Sequence, residues 1–331
     1  MPHPAIPAGK LPIELLGPLL GEVDLPPEVR LGPAIGEDAC AIDVPAGVLV
    51  ATTDPITLVG PSIGRFAVIV NANDVAVMGA RPRWFLATIL LPLGTTETEV
   101  QALFGGMRVG LGEVGAALVG GHTEITGAVN QPVVVGQMLG VAENGRFVST
   151  AGVRPGDVIV QVGVAPVEGA AVLAAEAVDR LAELDAAITV AAARAIDDPG
   201  ISVVEAAVTA ADLGATALHD PTEGGIAAGL HELAAAGGVA LRVDRSRILW
   251  FGPGVAVCRA VGADPWATLA SGSLLAAFAP NDAAGAVETL AARGHAVAVI
   301  GAAEEGQGVR DLVGQPIGWP ARDEVVRVLS G

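Results

Sequence analysis

The sequence predicts an α/β (α+β) protein of two domains, an N-terminal mixed sheet with helices followed by a C-terminal α/β domain. Three observations lead there. Short β-type runs alternate with helical ones through the first half. A turn at Arg154-Pro155-Gly156-Asp157 then opens a second round of the same alternation. Finally, 52% of the 331 residues are apolar, enough to fill a core in each half.

In chain order, residues 48–53, 85–91, 116–119 and 133–141 read as strands, and 64–79 and 97–114 as helices. After the turn, 158–162 reads as a strand, and Ala-rich helices follow Glu168, Ile201 and Gly225. The expected domains are 1–150 and 151–331. Apolar stretches are interrupted by Asp, Glu, Arg, Pro or Asn before they reach the length of a membrane span. The start, Met1-Pro2-His3-Pro4-Ala5, carries no signal or acylation pattern, so a cytoplasmic location is expected. Cys40 and Cys258 are too far apart in sequence for a metal-type pair and read as buried packing thiols. A formal charge of −18, with aromatics at 3% and no basic run, argues against nucleic acid as a partner.

Four segments carry polar groups that packing alone does not ask for. Gly36-Glu37-Asp38-Ala39 sets two carboxylates beside a flexible glycine; taken alone, a surface turn is the favoured account of it. Thr52-Thr53-Asp54-Pro55 closes a strand where ligands of open α/β sheets bind, or simply ends it. The helix from Phe66 is apolar on nearly every side yet holds Asn71, Asn73 and Asp74, with Asn71 and Asp74 on one face. A buried carboxylate needs a cation or good hydrogen bonds, so either a metal or a loop cap answers it. The fourth, Val119-Gly120-Gly121-His122-Thr123-Glu124, reads as a strand running into a glycine turn with polar groups, suited to a phosphate or to ordinary structural bonds. Together the four point to a hard cation such as Mg²⁺ beside a nucleotide.

In their order these segments resemble a superfamily that contains aminoimidazole ribonucleotide synthetase, thiamine-monophosphate kinase, selenophosphate synthetase and the HypE-like carbamoyl dehydratase of hydrogenase maturation. The matching stretches are Gly36 to Ala39, Thr52 to Asp54, Asn73-Asp74-Val75-Ala76-Val77-Met78-Gly79-Ala80-Arg81-Pro82 and Gly120 to Thr123. In the second half, Arg154 to Gly163 resembles the entry into the family's C-terminal domain. His219-Asp220-Pro221-Thr222-Glu223-Gly224-Gly225 looks most like the hydrogenase-maturation branch. The resemblance implies a homodimer whose N-terminal halves join strands into a shared β-barrel, with ATP and Mg²⁺ bound near the junction. It implies metal ligation by Asp38, Asp54 and Asp74 with a hydroxyl from Thr53, and nucleotide contacts from Asn71, Asn73, Gly121, Thr123 and Lys10. Asp220 is the implied residue of the reaction centre, and His122, from the fourth segment, is expected to be catalytic beside it.

The sequence departs from the family at several points. His122 stands where the thiamine-monophosphate kinases have aspartate. The chain ends Val328-Leu329-Ser330-Gly331 without the cysteine that carries the dehydrated group, so dehydration on its own tail is not expected. The glycine-rich Cys- or Sec-bearing start of selenophosphate synthetase and the substrate segments of the ribonucleotide synthetase are not found. For Asp220 a structural account stands beside the functional one: an N-cap at Asp220, Pro221 in the first turn and Glu223 at the third position start a helix, leaving the Gly224-Gly225 amides open to an anion.

The leading expectation is an ATP- and Mg²⁺-dependent enzyme that phosphorylates a carbonyl, amide or acid oxygen of a small or protein-borne substrate. Two other readings remain: a nucleotide-binding accessory protein, and a metal-dependent hydrolase using His122 and Glu124. Gly110-Leu111-Gly112-Glu113-Val114-Gly115 fits a dinucleotide-binding pattern, but it follows a helix and precedes a strand, the reverse of the required context.

Overall fold

The computed structural model describes residues 29–31, 36–37, 40–44, 47–57 and 62–330. They form two compact units, one from 29–31 and 40–147, the other from 36–37 and 148–330.

The N-terminal unit runs β1 (Val29–Leu31), β2 (Cys40–Val44), β3 (Gly47–Ile56), α1 (Ile63–Val77), β4 (Arg81–Pro92), α2 (Glu97–Val114), β5 (Ala117–Thr126) and β6 (Val133–Ala142). Its sheet has the order β1-β2-β3-β6-β4-β5. Neighbours are antiparallel except β4 and β5, which α2 joins as a parallel crossover. Thr96 starts α2 with a capping box to Glu99, and Gly115 ends it in the left-handed region. Helix α1 is buried nearly all round because it lies between the sheet and α2. The mixed sheet with helices therefore matches the expected fold class.

One boundary differs in a way that affects the site. Residues 120–126 do not leave the sheet; β5 continues through them in register with Leu86–Pro92 after a bulge beside Phe85. Glycine and polar side chains give a weak strand signal, yet the parallel ladder to β4 holds them extended at an exposed edge.

The C-terminal unit contains β7 (Val158–Val162), α3 (Glu168–Glu176), α4 (Ala186–Ala193), α5 (Val204–Asp212), β8 (Ala217–His219) and α6 (Gly225–Gly237). β9 (Ala240–Val243), α7 (Gly252–Val261), β10 (Leu274–Phe278), α8 (Pro280–Ala292), β11 (Val297–Glu304), β12 (Gly308–Asp311) and α9 (Glu324–Leu329) complete it. Its sheet, β12-β9-β11-β7-β10-β8, is antiparallel apart from β9 and β12. Ile159, Leu230, Leu233, Leu241, Leu275 and Ile300 centre its core. Cys258 is buried as expected, and burial pushes its thiol up to about 11, where it is protonated and inert. Among the described residues no helix is long and apolar enough to cross a membrane.

The helix expected after Gly225 is present, and the alternative start capped by Asp220 is not used. The helix begins at Gly225 with Gly224 as its cap, and both glycines are left-handed (φ 80° and 64°). A Cβ on Gly225 would lie 2.6 Å from the carbonyls of Trp266 and Thr268, so this turn needs glycine for space as well as for φ.

Candidate functional site

Strand β3 alternates, with Val48 and Val50 buried against α1, and the same parity brings Thr52 and Asp54 to that face. From α1, Asp74 accepts the Thr52 hydroxyl at 2.8 Å. One helical turn earlier, Asn71 accepts the Asp54 N–H at 2.9 Å and donates its amide to the Asp54 carbonyl at 3.3 Å and to the Ala67 carbonyl at 2.8 Å. β2 pairs with β3 only as far as Ala51, and past that point the Asn71 carboxamide serves the backbone of Asp54 as a neighbouring strand would. Gly136, opposite Asp54 on β6, makes room: a Cβ there would lie 2.3 Å from the Asn71 amide nitrogen. The sheet and helix thus hold two half-buried acidic residues, Asp54 by its backbone and Asp74 by its carboxylate.

Of the sequence-predicted residues, Asp54, Asp74 and Asn71 meet here, and Asn73 lies buried on the same helix. Asp38 and Lys10 lie outside the described residues. Thr53 has the opposite parity: it faces away from α1 and its hydroxyl donates to the Gly136 carbonyl at 2.8 Å. The hydroxyl beside Asp74 is that of Thr52, which the sequence reading passed over. Asp54, Gly136, Ala87 and Gly121 form one row across β3, β6, β4 and β5. Gly121 is therefore three strand spacings from Asp54, on the order of 14 Å, and Thr123 shares its parity. His122 has Thr88 as its register partner and so faces with Thr53, away from Asp54; its ring lies 3.4 Å from the Glu124 carboxylate, and both side chains are exposed. This geometry does not bring His122 and Glu124 together with Asp54 and Asp74. Among the described residues no group of three or more His, Cys, Asp or Glu is placed to hold a metal ion.

The donor types nonetheless fit a hard cation. Two carboxylates and a hydroxyl are oxygen ligands of the kind Mg²⁺ takes, with water or phosphate filling the remaining positions.

In the C-terminal unit, β8 ends at His219, whose ring nitrogen lies 2.9 Å from Glu232 on α6, and Asp220 follows, buried. The Gly224 amide donates to Asp323 Oδ2 at 2.7 Å, and the Gly225 amide to the Thr222 carbonyl. These amides are therefore engaged, and the anion at this helix start is the chain's own Asp323. That carboxylate also caps α9 through the Val325 amide. Burial pushes Asp323 up to about 6, against the pull of the Gly224, Val325 and Leu269 amides, with the nearby charge of Glu223 adding to the rise. Glu37 belongs to this unit, where the Ser149 hydroxyl donates to it at 2.7 Å.

Comparison with known proteins agrees with this architecture. The family model for the AIR synthase related protein N-terminal domain matches residues 36–142, and that for its C-terminal domain matches 154–313. The chain is 31% identical to carbamoyl dehydratase HypE of Rhodobacter capsulatus, over 93% of this chain and 88% of that one. The crystal structure of hydrogenase maturation protein HypE in complex with ATP superposes with a TM-score of 0.71 at 23% identity, covering 89% of this chain and 92% of that one. AaThiL complexed with AMPPCP and TMP superposes at 0.70 and 21% identity, covering 93% and 94%.

Proposed function

Because the chain belongs to the AIR synthase-related family, on its HypE-like branch, we propose that it is an ATP- and Mg²⁺-dependent enzyme that phosphorylates an amide, carbonyl or acid oxygen. The observation that carries this reading is that Asn71 holds the backbone of Asp54 while Asp74 takes the Thr52 hydroxyl, which sets both acidic residues between β3 and α1, in a chain similar in fold to HypE in complex with ATP and to AaThiL complexed with AMPPCP and TMP. Asp54 and Asp74 hold the cation, with Asp38 as the third carboxylate and Thr52 rather than Thr53 as the neighbouring hydroxyl. Magnesium bound there supplies charge neutralisation to the transferring phosphoryl group.

The protein's own work is positioning. Asn71 fixes the peptide of Asp54, and Thr52 fixes the carboxylate of Asp74, so neither reorganises when the nucleotide arrives. Asn73, Gly121, Thr123 and Lys10 contact the nucleotide, and Asp220 acts on the substrate side; His122, on the sheet face turned away from Asp54, does not join them. No covalent protein nucleophile is needed. The N-terminal domain, 1–150, carries the nucleotide and dimerises, and the C-terminal domain, 151–331, contributes Asp220. Homodimer formation is supported by the face of the first sheet opposite α1. Leu49, Leu86, Leu90, Val133, Val135 and Leu139 lie there half-buried, and the edge strand β5 exposes Leu118, Val119 and Ile125.

Calorimetric titration with ATP in Mg²⁺, combined with phosphate release over small amides and acids, tests the reading. Binding and turnover are expected, both greatly reduced by Asp54→Asn or Asp74→Asn. Tight binding without turnover of any substrate would instead favour the accessory-protein reading. Zinc in the purified protein with indifference to ATP would favour the hydrolase.

A further inference from the structure

An open depression of about 370 Å³ on the surface of the C-terminal unit has no part in the reading above. One wall is a single stripe of α7, Gly252, Val255, Ala256 and Arg259, spaced i, i+3, i+4 and i+7. The stripe is about 10 Å long and ends in a guanidinium. The other walls are Trp250 and the Pro265-Trp266 pair.

The chain has only four tryptophans, and two of them meet here with ring centroids 5.3 Å apart at 75°. Two indoles at nearly a right angle make a corner in which a flat ring meets one face-on and the other edge-on, both favourable arrangements. The corner is preorganised: the Arg245 guanidinium packs 5.3 Å over the Trp266 ring and is itself fixed by Asp311 at 3.0 Å. Arg259 differs from Arg245. It is exposed on the pocket wall and forms no side-chain hydrogen bond or ion pair with any described residue, in a protein of net charge −18. A wide-mouthed, mostly apolar depression of this size, with an aromatic corner and one convergent cation, falls at the small end of the volumes that small-molecule sites take, roughly 300–1,000 Å³.

We propose that this pocket binds a small planar aromatic carboxylate, its ring in the Trp250–Trp266 corner and its carboxylate on Arg259. Each half of the ligand answers one half of the pocket. The stripe of small side chains, Gly252 and Ala256, leaves width for the ring. Arg259 offers a two-pronged donor suited to a carboxylate.

The test uses the full chain and the probe 1-naphthoate, with 1-naphthalenemethanol and cyclohexanecarboxylate as analogues lacking the charge or the aromatic ring. Calorimetry and saturation-transfer NMR report binding, and thermal melts check each variant's fold. One-to-one binding of 1-naphthoate is expected, weaker by about tenfold or more for either analogue and for Arg259→Gln or Trp250→Leu. Arg259→Gln alters an exposed side chain, so it keeps the test valid if the tryptophan variant fails to fold. Equal affinity in Arg259→Gln, equal affinity for the uncharged analogue, or no binding at millimolar probe overturns the proposal. Because ATP is absent throughout, the result is independent of the phosphoryl-transfer reading.

Discussion

Replacing Gly136 by alanine tests whether the bare backbone of β6 exists to make room for Asn71. The new methyl group would lie 2.3 Å from Asn71 Nδ2, 2.8 Å from its Cγ and 2.9 Å from Phe85 Cε2. The carboxamide has to move, losing its bonds to both polar groups of the Asp54 peptide and to Ala67. Three hydrogen bonds at a net ~1 kcal/mol each, with overpacking of ~1–3 kcal/mol, put the cost of Gly136→Ala at roughly 4–6 kcal/mol. Asn71→Ala loses the same bonds without the clash, about 2–4 kcal/mol. In that background, Gly136→Ala meets no amide and only the edge of Phe85, so the double variant costs far less than the sum. The coupling is expected at about 3 kcal/mol or more. Urea denaturation measures the four corners of the cycle, followed by Trp84 after Trp250, Trp266 and Trp319 are changed to Phe. Additivity within about 0.5 kcal/mol would refute the reasoning, since the glycine would then be required for something other than the asparagine.

Asp323→Asn is expected to remove a pH dependence of stability. A carboxyl at about 6 when folded and 3.8 when unfolded takes up protons on folding between those values, so stability falls as pH rises through that window. The wild type should lose about 2 kcal/mol between pH 4.5 and 7.5 relative to the variant in urea melts, and parallel curves would count against the assignment. Thr52→Val is expected to weaken Mg²⁺-dependent ATP binding by about tenfold through loss of its bond to Asp74, whereas Thr53→Val leaves affinity unchanged and costs about 1 kcal/mol of stability. Calorimetry on the pair decides, and the reverse ranking would restore Thr53 as the ligand.

The comparison of Thr52 with Thr53 also shows where sequence reading stopped. The polar face of α1 was legible, because carboxamides and a carboxylate on an all-apolar helix have few explanations. Which threonine accompanies them depends on strand parity, and a shift of one residue moves every side chain to the other face. The same limit applied to His122: the strand ran on past Gly121, and its direction followed from pairing with β4 rather than from local propensity. Asp220-Pro221 gave a good local helix start, but two left-handed glycines and a carboxylate about a hundred residues later set the real one. Gly136 was one of 44 glycines without a distinguishing pattern, and Trp250 and Trp266 meet only in three dimensions.

The bond from Ser149 to Glu37 bears on how the protein can be dissected. Severing the backbone between Phe147 and Val148 would strand Glu37 on the wrong piece, apart from the serine that holds it and from the stretch of α6 against which Gly36 rests. The halves are laced together by a thread that returns, and recovering the second half intact means splicing positions 36 and 37 back in ahead of it.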